Sequence, residues 1–228
     1  MNNYSSLISI EEVSQIFRIF ETFKKNCIFL VGGCIRDSIL QKDVTDIDFA
    51  TSLNPDETTN LLDQNNIQFV DVGKKYGTVT AIINQKKYEI TSFRKDISTD
   101  GRHATVTFTN NMKEDAQRRD FTFNALYVDS DGEIFDYYSG QEDLKKGNVI
   151  FIGEPNERIK EDYLRILRYF RFLAFFENSD IDPDLQKVFT ANHAHLANIS
   201  NERKWYEFKE LLKLKTPHNS LHMMESVG

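Results

Sequence analysis

Two acids one residue apart, Asp46 and Asp48 in "TDIDFA", stand downstream of a glycine pair, Gly32-Gly33. On a strand, alternate side chains share a face, so this spacing points Asp46 and Asp48 together and turns Ile47 to the core. Two carboxylates held a few ångströms apart repel unless a cation sits between them. Mg²⁺ is the usual answer, bound through one or two carboxylates and the phosphates of a substrate. The glycine turn adds a second element. An apolar run, Ile28 to Val31, ends at Gly32-Gly33, and a short helical pattern follows. A helix N-terminus presents free N–H groups and a partial positive charge, which favour phosphate. Gly33 lets backbone approach closely, and Arg36 can reach a phosphate with two donors. Alone, a Gly-Gly pair is often only a turn and an Asp-x-Asp pair only a solvated strand end. Joined in one strand–turn–helix–strand unit, they point to a metal and phosphate site.

The elements that must position these residues follow from periodicity. Residues 7–25 carry Ile10, Val13, Ile16, Phe17 and Phe20 at helical spacing, which predicts an amphipathic helix on the first strand, with Ser9 as its cap. Asn54 and Pro55 open a second helix. Residues 67–94 change to β-branched and aromatic runs with Asn84 to Lys87 between the last two, a hairpin signal. In the last of these strands Glu89 and Thr91 share a face; from the residues alone Glu89 reads as an exposed strand acid. Residues 95–117 are polar, with one strand-like piece at Val106 to Phe108, and read as a long loop. Arg118, Arg119 and Asp120 precede a helix-like piece with Phe121, Ala125 and Leu126 inward. The paired arginines fit either a salt-bridged surface or a set of triphosphate ligands. "GEIFDYYSGQEDLKKG" reads as strand, turn at Ser139-Gly140, and capped short helix.

Residues 157–176 show the strongest helical pattern, with Asp162, Arg165, Arg168 and Arg171 every three residues and an apolar stripe of Leu164, Leu167, Phe170 and Leu173. One reading is a charged face supported by i,i+3 pairs. The other is a base reader. Cytosine and adenine each place an amino donor beside a ring-nitrogen acceptor, whereas guanine and uracil reverse the pairing. Asp only accepts and Arg only donates. Against the wrong base a buried polar group stays unpaired, at a cost of roughly 1–3 kcal/mol.

"VGGCIRD" followed by "TDIDFAT" resembles the head domain of the class II tRNA nucleotidyltransferase and bacterial poly(A) polymerase family. The resemblance continues through "YEITSFR", "DGRHATVTF", "RRDFTFNALYVD" and "EDYLRILR". It implies an α/β (α+β) fold: a polymerase-β-like nucleotidyltransferase head with a mixed sheet at residues 1–150 and an all-helical neck at 151–215; residues 216–228 show no periodicity and read as an irregular tail. It implies transfer of CMP and AMP from CTP and ATP to the 3′ end of tRNA, with two Mg²⁺ ions held by Asp46 and Asp48 and Glu89 completing the acid set. Gly33, Arg36 and Arg119 would hold the triphosphate. Asp162 and Arg165 would read the base, supported by Arg168 and Arg171. The "DGRHATVTF" stretch resembles the flexible loop of the family.

Composition sets the remaining bounds. With 40% hydrophobic and 28% charged residues the chain is an ordinary globular one, without an apolar run long enough for a membrane span. Cys27 and Cys34 are the only cysteines, which fits a reduced, cytoplasmic protein without a disulfide framework. A net charge of −7 argues against a broad, non-specific grip on phosphate and leaves local Arg clusters to do that work. Family members continue well beyond a neck, so the expectation is head and neck only, with a partner chain or a second copy replacing body and tail. Two rivals stand beside tRNA CCA addition: a poly(A) polymerase or a CC- or A-adding enzyme on the same scaffold, and a non-catalytic nucleotide-binding remnant.

Overall fold

The computed structural model describes residues 4–99, 104–176 and 180–228. Among these the chain forms two compact units. One comprises the described residues of Met1–Ser98, Ala104–Arg119 and Phe123–Gln141, the other those of Asp120–Thr122 and Glu142–Gly228. By contacts the division falls at Gln141–Glu142 rather than at the expected residue 150. The short Asp120–Thr122 piece joins the helical unit because Phe121 bridges to Phe151 and packs on Phe151 and Phe172, with ring centroids 4.7 and 5.4 Å away.

The first unit opens with α1 (Ser5–Ile8) and α2 (Glu11–Phe23), followed by β1 (Ile28–Val31), α3 (Gly33–Ile39), β2 (Asp48–Thr51) and α4 (Pro55–Gln64). Then come β3 (Gln68–Val70), β4 (Thr78–Ile83), β5 (Lys86–Ser92), β6 (Arg94–Thr99) and β7 (Ala104–Phe108). The unit ends with α5 (Met112–Gln117), β8 (Leu126–Val128), β9 (Ile134–Asp136) and the start of α6 (Gly140–Lys146). A seven-stranded sheet runs in the order β3-β4-β5-β2-β1-β8-β9. β2 and β5 are parallel and the other pairs antiparallel, so the sheet is mixed.

Local sequence accounts for most of these elements. α2 buries Val13, Ile16, Phe17 and Phe20, and Phe17 sets its edge against Phe49 of β2 at 5.5 Å. Removing a buried Phe of this kind typically costs about 3–5 kcal/mol, so the helix fastens the strand that begins at Asp48. Ser9 is not its cap: its hydroxyl donates back to the Ser5 carbonyl at 3.0 Å, and Ile10 occupies the cap position. Asn54 does cap α4, in a reciprocal capping box with Glu57. Asn84 and Gln85, both at positive φ, form the two-residue turn between β4 and β5, so Lys86 and Lys87 belong to β5.

The expected long loop contains the paired strands β6 and β7 and the helix α5. Asp100 to His103 lie outside the described residues. The helix-like piece after Asp120 is a single 3₁₀ turn, Thr122–Asn124, and Leu126 starts β8; Phe121, Ala125 and Leu126 are buried as expected.

The second unit is helical: α7 (Pro155–Glu161), α8 (Leu164–Leu173), α9 (Pro183–Asn192), α10 (Asn201–Leu212) and α11 (Pro217–Val227). Residues 216–228, expected to be irregular, form α11, with Pro217 at its first position and the Ser220 hydroxyl donating to the Phe170 carbonyl at 2.5 Å. No helix of the described residues is long and apolar enough to cross a membrane.

Candidate active site

Four strands place one residue each in a row across the sheet. Asp48 of β2 is registered against Glu89 of β5, Glu89 against Thr80 of β4, and Thr80 against Val70 of β3. Tyr88 and Ile90 are buried, so strand alternation turns Glu89 outward. Asp46, Ile47, Asp48, Val70, Thr80, Lys87 and Glu89 line one open cavity of about 540 Å³.

The two acids arrive there differently from the expected strand pair. Pairing begins at Asp48, and Asp46 and Ile47 lie before β2. Asp46 is therefore exposed, and Ile47 is half-buried on the cavity wall instead of in the core.

Electrostatics at this row are unfavourable as the protein stands. Burial, then the Glu89 charge, and in smaller part Asp46, push the Asp48 carboxyl up to about 6, with Arg119 acting in the other direction. Thr45 donates to Asp46 at 3.1 Å, and among the described residues no ion pair reaches Asp46, Asp48 or Glu89. Also among the described residues, no three His, Cys, Asp or Glu side chains form a ready-made metal cluster. Hard oxygen donors in mutual repulsion, without a closed protein cage, fit Mg²⁺ completed by water and substrate phosphate.

Next to β1 lies a basic cradle. Gly32 has φ +75°, where a side chain is strained, and a Cβ there would meet Arg119 Nη1 at 3.5 Å. A Cβ on Gly33 would meet Arg36 Nη2 at 3.5 Å. At 3.5 Å these would be ordinary contacts, so the constraint at Gly32 is its positive φ, and the two guanidiniums lie directly against the glycine pair. Arg36 donates from Nε and Nη2 to both oxygens of Asp37 at 2.8 and 2.7 Å, and from Nη1 to Asn124 Oδ1 at 2.7 Å.

Arg119 donates from Nε to the Tyr127 hydroxyl at 3.0 Å and from Nη2 to Asp115 Oδ2 at 3.1 Å. Asp115, fully buried, also binds Arg118 at 2.9 Å and the Tyr127 hydroxyl at 2.6 Å. Burial alone would raise this carboxyl; Arg119 and Arg118, then Tyr127, reverse that and hold it at about 2. Two guanidiniums on one carboxylate leave a net positive charge, and of the two readings of the arginine pair the salt-bridged one is what the ion pairs to Asp115 show. Asp115, Asn124 and Tyr127 did not stand out in the sequence, although the i,i+3 and i,i+4 spacing of Asp115 to Arg118 and Arg119 is a usable signal.

The helix expected over 157–176 is two helices. It breaks at Asp162, whose backbone is extended (φ −156°, ψ 103°) between α7 and α8. Its carboxylate accepts from the Leu164 N–H at 3.2 Å and from Arg203 Nη2 at 2.7 Å. Arg165 donates from Nη1 to Glu161 at 2.6 Å and to the Arg158 carbonyl at 2.7 Å. Asp162 thus stands in the extended break before α8 and Arg165 in the first turn of α8, each oriented by a different partner.

Arg168 binds Asp120 at 2.7 Å and Glu207 at 3.3 Å, and Arg171 Nε lies 3.0 Å from Glu207. Burial would lower the Arg168 pKa, and Asp120 and Glu207 raise it. The buried stripe of α8 is Leu164, Ile166, Tyr169, Phe170, Phe172 and Leu173, with Leu167 half-exposed. Arg203 and Glu207 carried no local signal, because each finds its partner through the fold; Glu161 pairs locally, with Arg158 three residues before it and Arg165 four residues after.

Comparison with known proteins places this geometry. Residues 28–150 match the family model described as the poly A polymerase head domain, and residues 179–228 match one described as a probable RNA and SrmB-binding site of polymerase A. The human mitochondrial CCA tRNA nucleotidyltransferase 1 is 41% identical over 198 residues, 86% of this chain and 46% of that protein. The CCA-adding enzyme of Bacillus licheniformis is 37% identical over 202 residues, 88% of this chain and 50% of that protein. The chain thus spans about half the length of these curated relatives. In structure it is similar to the Bacillus stearothermophilus CCA-adding enzyme solved with CTP, with a TM-score of 0.81 and 30% identity over 98% of this chain and 52% of that one. From its head-domain match, the order of its elements and these relatives, the chain belongs to the class II tRNA nucleotidyltransferase and poly(A) polymerase family.

Proposed function

We propose that the chain transfers CMP and AMP from CTP and ATP to the 3′ hydroxyl of tRNA, as in CCA addition or repair. The observation that carries this reading is the row of acids beside a glycine-backed pair of arginines. Asp48 and Glu89 are registered across parallel strands with Asp46 at the same cavity, and Arg36 and Arg119 fold over Gly33 and Gly32. Support comes also from the names of the relatives and from the CTP bound to the Bacillus stearothermophilus neighbour.

In the proposed reaction the primer 3′ oxygen bonds to the α-phosphorus, the bond from that phosphorus to the bridging oxygen breaks, and pyrophosphate leaves. Asp46 and Asp48 would hold Mg²⁺, which when bound supplies charge neutralisation at the transferred phosphoryl group and a more acidic attacking hydroxyl. Glu89, outward on the same row, would complete the acid set and accept the hydroxyl proton. Arg36 and Arg119, held in place by Asp37, Asn124, Asp115 and Tyr127, would bind the triphosphate oxygens through planar donors. Gly33 would keep that approach open.

In the helical unit, Asp162 would accept from the exocyclic amine of C or A, and Arg165 would donate to the neighbouring ring nitrogen. Both Arg165 contacts fall on Nη1, so Nε and Nη2 face no competing partner among the described residues. A carboxylate has about four lone-pair sites, and Asp162 commits two of them. Partners that orient without saturating are what a preformed reader requires. Arg168 and Arg171 would support α8 from behind through Glu207. The test is incubation with Mg²⁺, tRNA lacking its 3′ CCA and each labelled nucleotide separately. Incorporation of C, then A, and not of G or U is expected; incorporation of none, or of all four, overturns the reading.

A further inference from the structure

Among the described residues, Lys87 is the one cation on a cavity wall that carries three acids. Its neighbour Lys86 is tied to Glu12 at 3.0 Å. Lys87 itself has no hydrogen bond or ion pair among the described residues, and it shares the outward face of β5 with Glu89. The parallel register sets Asp48 against Glu89, and Asp46 and Lys87 line the same cavity.

Sheet order then decides what this ammonium faces. The acids belong to β2 and β5, in the middle of the order β3-β4-β5-β2-β1-β8-β9. The arginine cradle lies on the β1–β8 side: Arg36 is on α3, which follows and packs on β1, and Arg119 is bonded to Tyr127 of β8. Lys87 lies on the β5–β4–β3 side. In an in-line displacement the attacking and leaving oxygens stand on opposite faces of the phosphorus. With the triphosphate leaving toward β1 and β8, the nucleophile arrives from the β5–β4–β3 side. An RNA end brings its own phosphodiester charge toward three carboxylates, which would repel it.

Building on the transfer reading, we propose that Lys87 is the positioning residue for the RNA primer. Its ammonium would bind the backbone phosphate next to the 3′-terminal nucleotide and bring the hydroxyl to the acid row. A compact point charge suits this task, since a sliding primer needs attraction without a fixed fork geometry. Thr80 and Val70 continue the same wall.

The test compares equilibrium binding of tRNA lacking its CCA end, by fluorescence anisotropy over a salt series, for the wild type, Lys87→Ala, Lys87→Arg and the control Lys86→Ala. CTP affinity is measured in parallel by equilibrium dialysis. Lys87→Ala is expected to weaken RNA binding several-fold and to make the slope of log K against log salt shallower by about 0.7, one single-strand phosphate contact. Lys87→Arg and Lys86→Ala keep the slope, and CTP affinity is unchanged in all four. An unchanged RNA slope in Lys87→Ala, or no RNA affinity in the wild type, overturns the proposal. So does a fall in CTP affinity, which would put Lys87 on the triphosphate side. Because the readout is binding, a wild type that extends no RNA sinks the transfer reading and still leaves the Lys87 comparison decided.

Discussion

The acid row of the sheet and the arginine face of α8 both gather charged side chains, in opposite electrostatic conditions. Asp46, Asp48 and Glu89 line one cavity without an ion pair among the described residues, and burial and like charge raise the Asp48 carboxyl to about 6. In the helical unit every predicted functional side chain is already paired: Asp162 with Arg203, Arg165 with Glu161, and Arg168 and Arg171 with Glu207. The difference separates two ways of preparing a site. On the proposed reading, a row that receives a cation is left repulsive and open, and loses stability for it. On the same reading, a surface that presents a fixed hydrogen-bond pattern is assembled beforehand, so that binding needs little reordering.

The comparison predicts opposite consequences for removing charge. Asp46→Ala or Asp48→Ala should lower nucleotide incorporation by at least about 10³-fold, since losing a metal's contribution costs several kcal/mol of transition-state stabilisation. Circular dichroism should show both variants folded. Near-normal turnover in either would remove that acid from the metal assignment.

In the helical unit the loss should be structural. Glu207 is 3% exposed and faces two guanidiniums. Glu207→Ala should destabilise by ~3 kcal/mol, the cost of breaking a buried pair, and lower Tm by roughly 6–12 °C in thermal unfolding. A variant as stable as the wild type would mean that the network is solvated.

Arg165→Ala sharpens the contrast within that unit. It should reduce discrimination against UTP and GTP by about 5–150-fold, corresponding to one unpaired buried group, read as the ratio of kcat/KM values. An equal fall for all four nucleotides would make the arginine structural.

What could be read in advance divides along the same line. The glycine turn and Asp48 were legible because strand period and turn chemistry are local; Glu89 read from the residues alone as an exposed strand acid, and only the family resemblance set it with the other acids. Glu207 was not legible, since the fold delivers its arginines from 36 and 39 residues away (Arg171 and Arg168); Asp115 had its arginines three and four residues on, and only its complete burial was hidden. The break at Asp162 was hidden because the three-residue charge rhythm runs straight through it, while the carboxylate leaves the helix to take the Leu164 N–H. α11 has no apolar stripe to reveal it: it buries Ser220 and Val227, and Ser220 is held by a hydrogen bond to a carbonyl of α8.

The smallest expected effect is in stability against pH. A carboxyl whose folded pKa is raised binds protons in the native state that the unfolded chain has already lost. Stability is therefore highest below the unfolded pKa, falls as pH rises from about 4 through about 6, and is level beyond. Asp48→Asn should match the wild-type Tm near pH 4 and exceed it by several degrees at pH 7.5. A variant less stable than the wild type at pH 7.5 would show that Asp48 is satisfied within the fold.

The most direct test of the central claim, that the acid row is incomplete until a divalent cation arrives, is a Mg²⁺ titration followed by thermal unfolding with CTP present, for the wild type and Asp48→Asn. In EDTA the variant should unfold at the higher temperature. Mg²⁺ should then raise the wild-type Tm progressively and leave the variant nearly unmoved. Equal Mg²⁺-dependent shifts in both proteins, or a variant that is the less stable of the two in EDTA, would contradict the account.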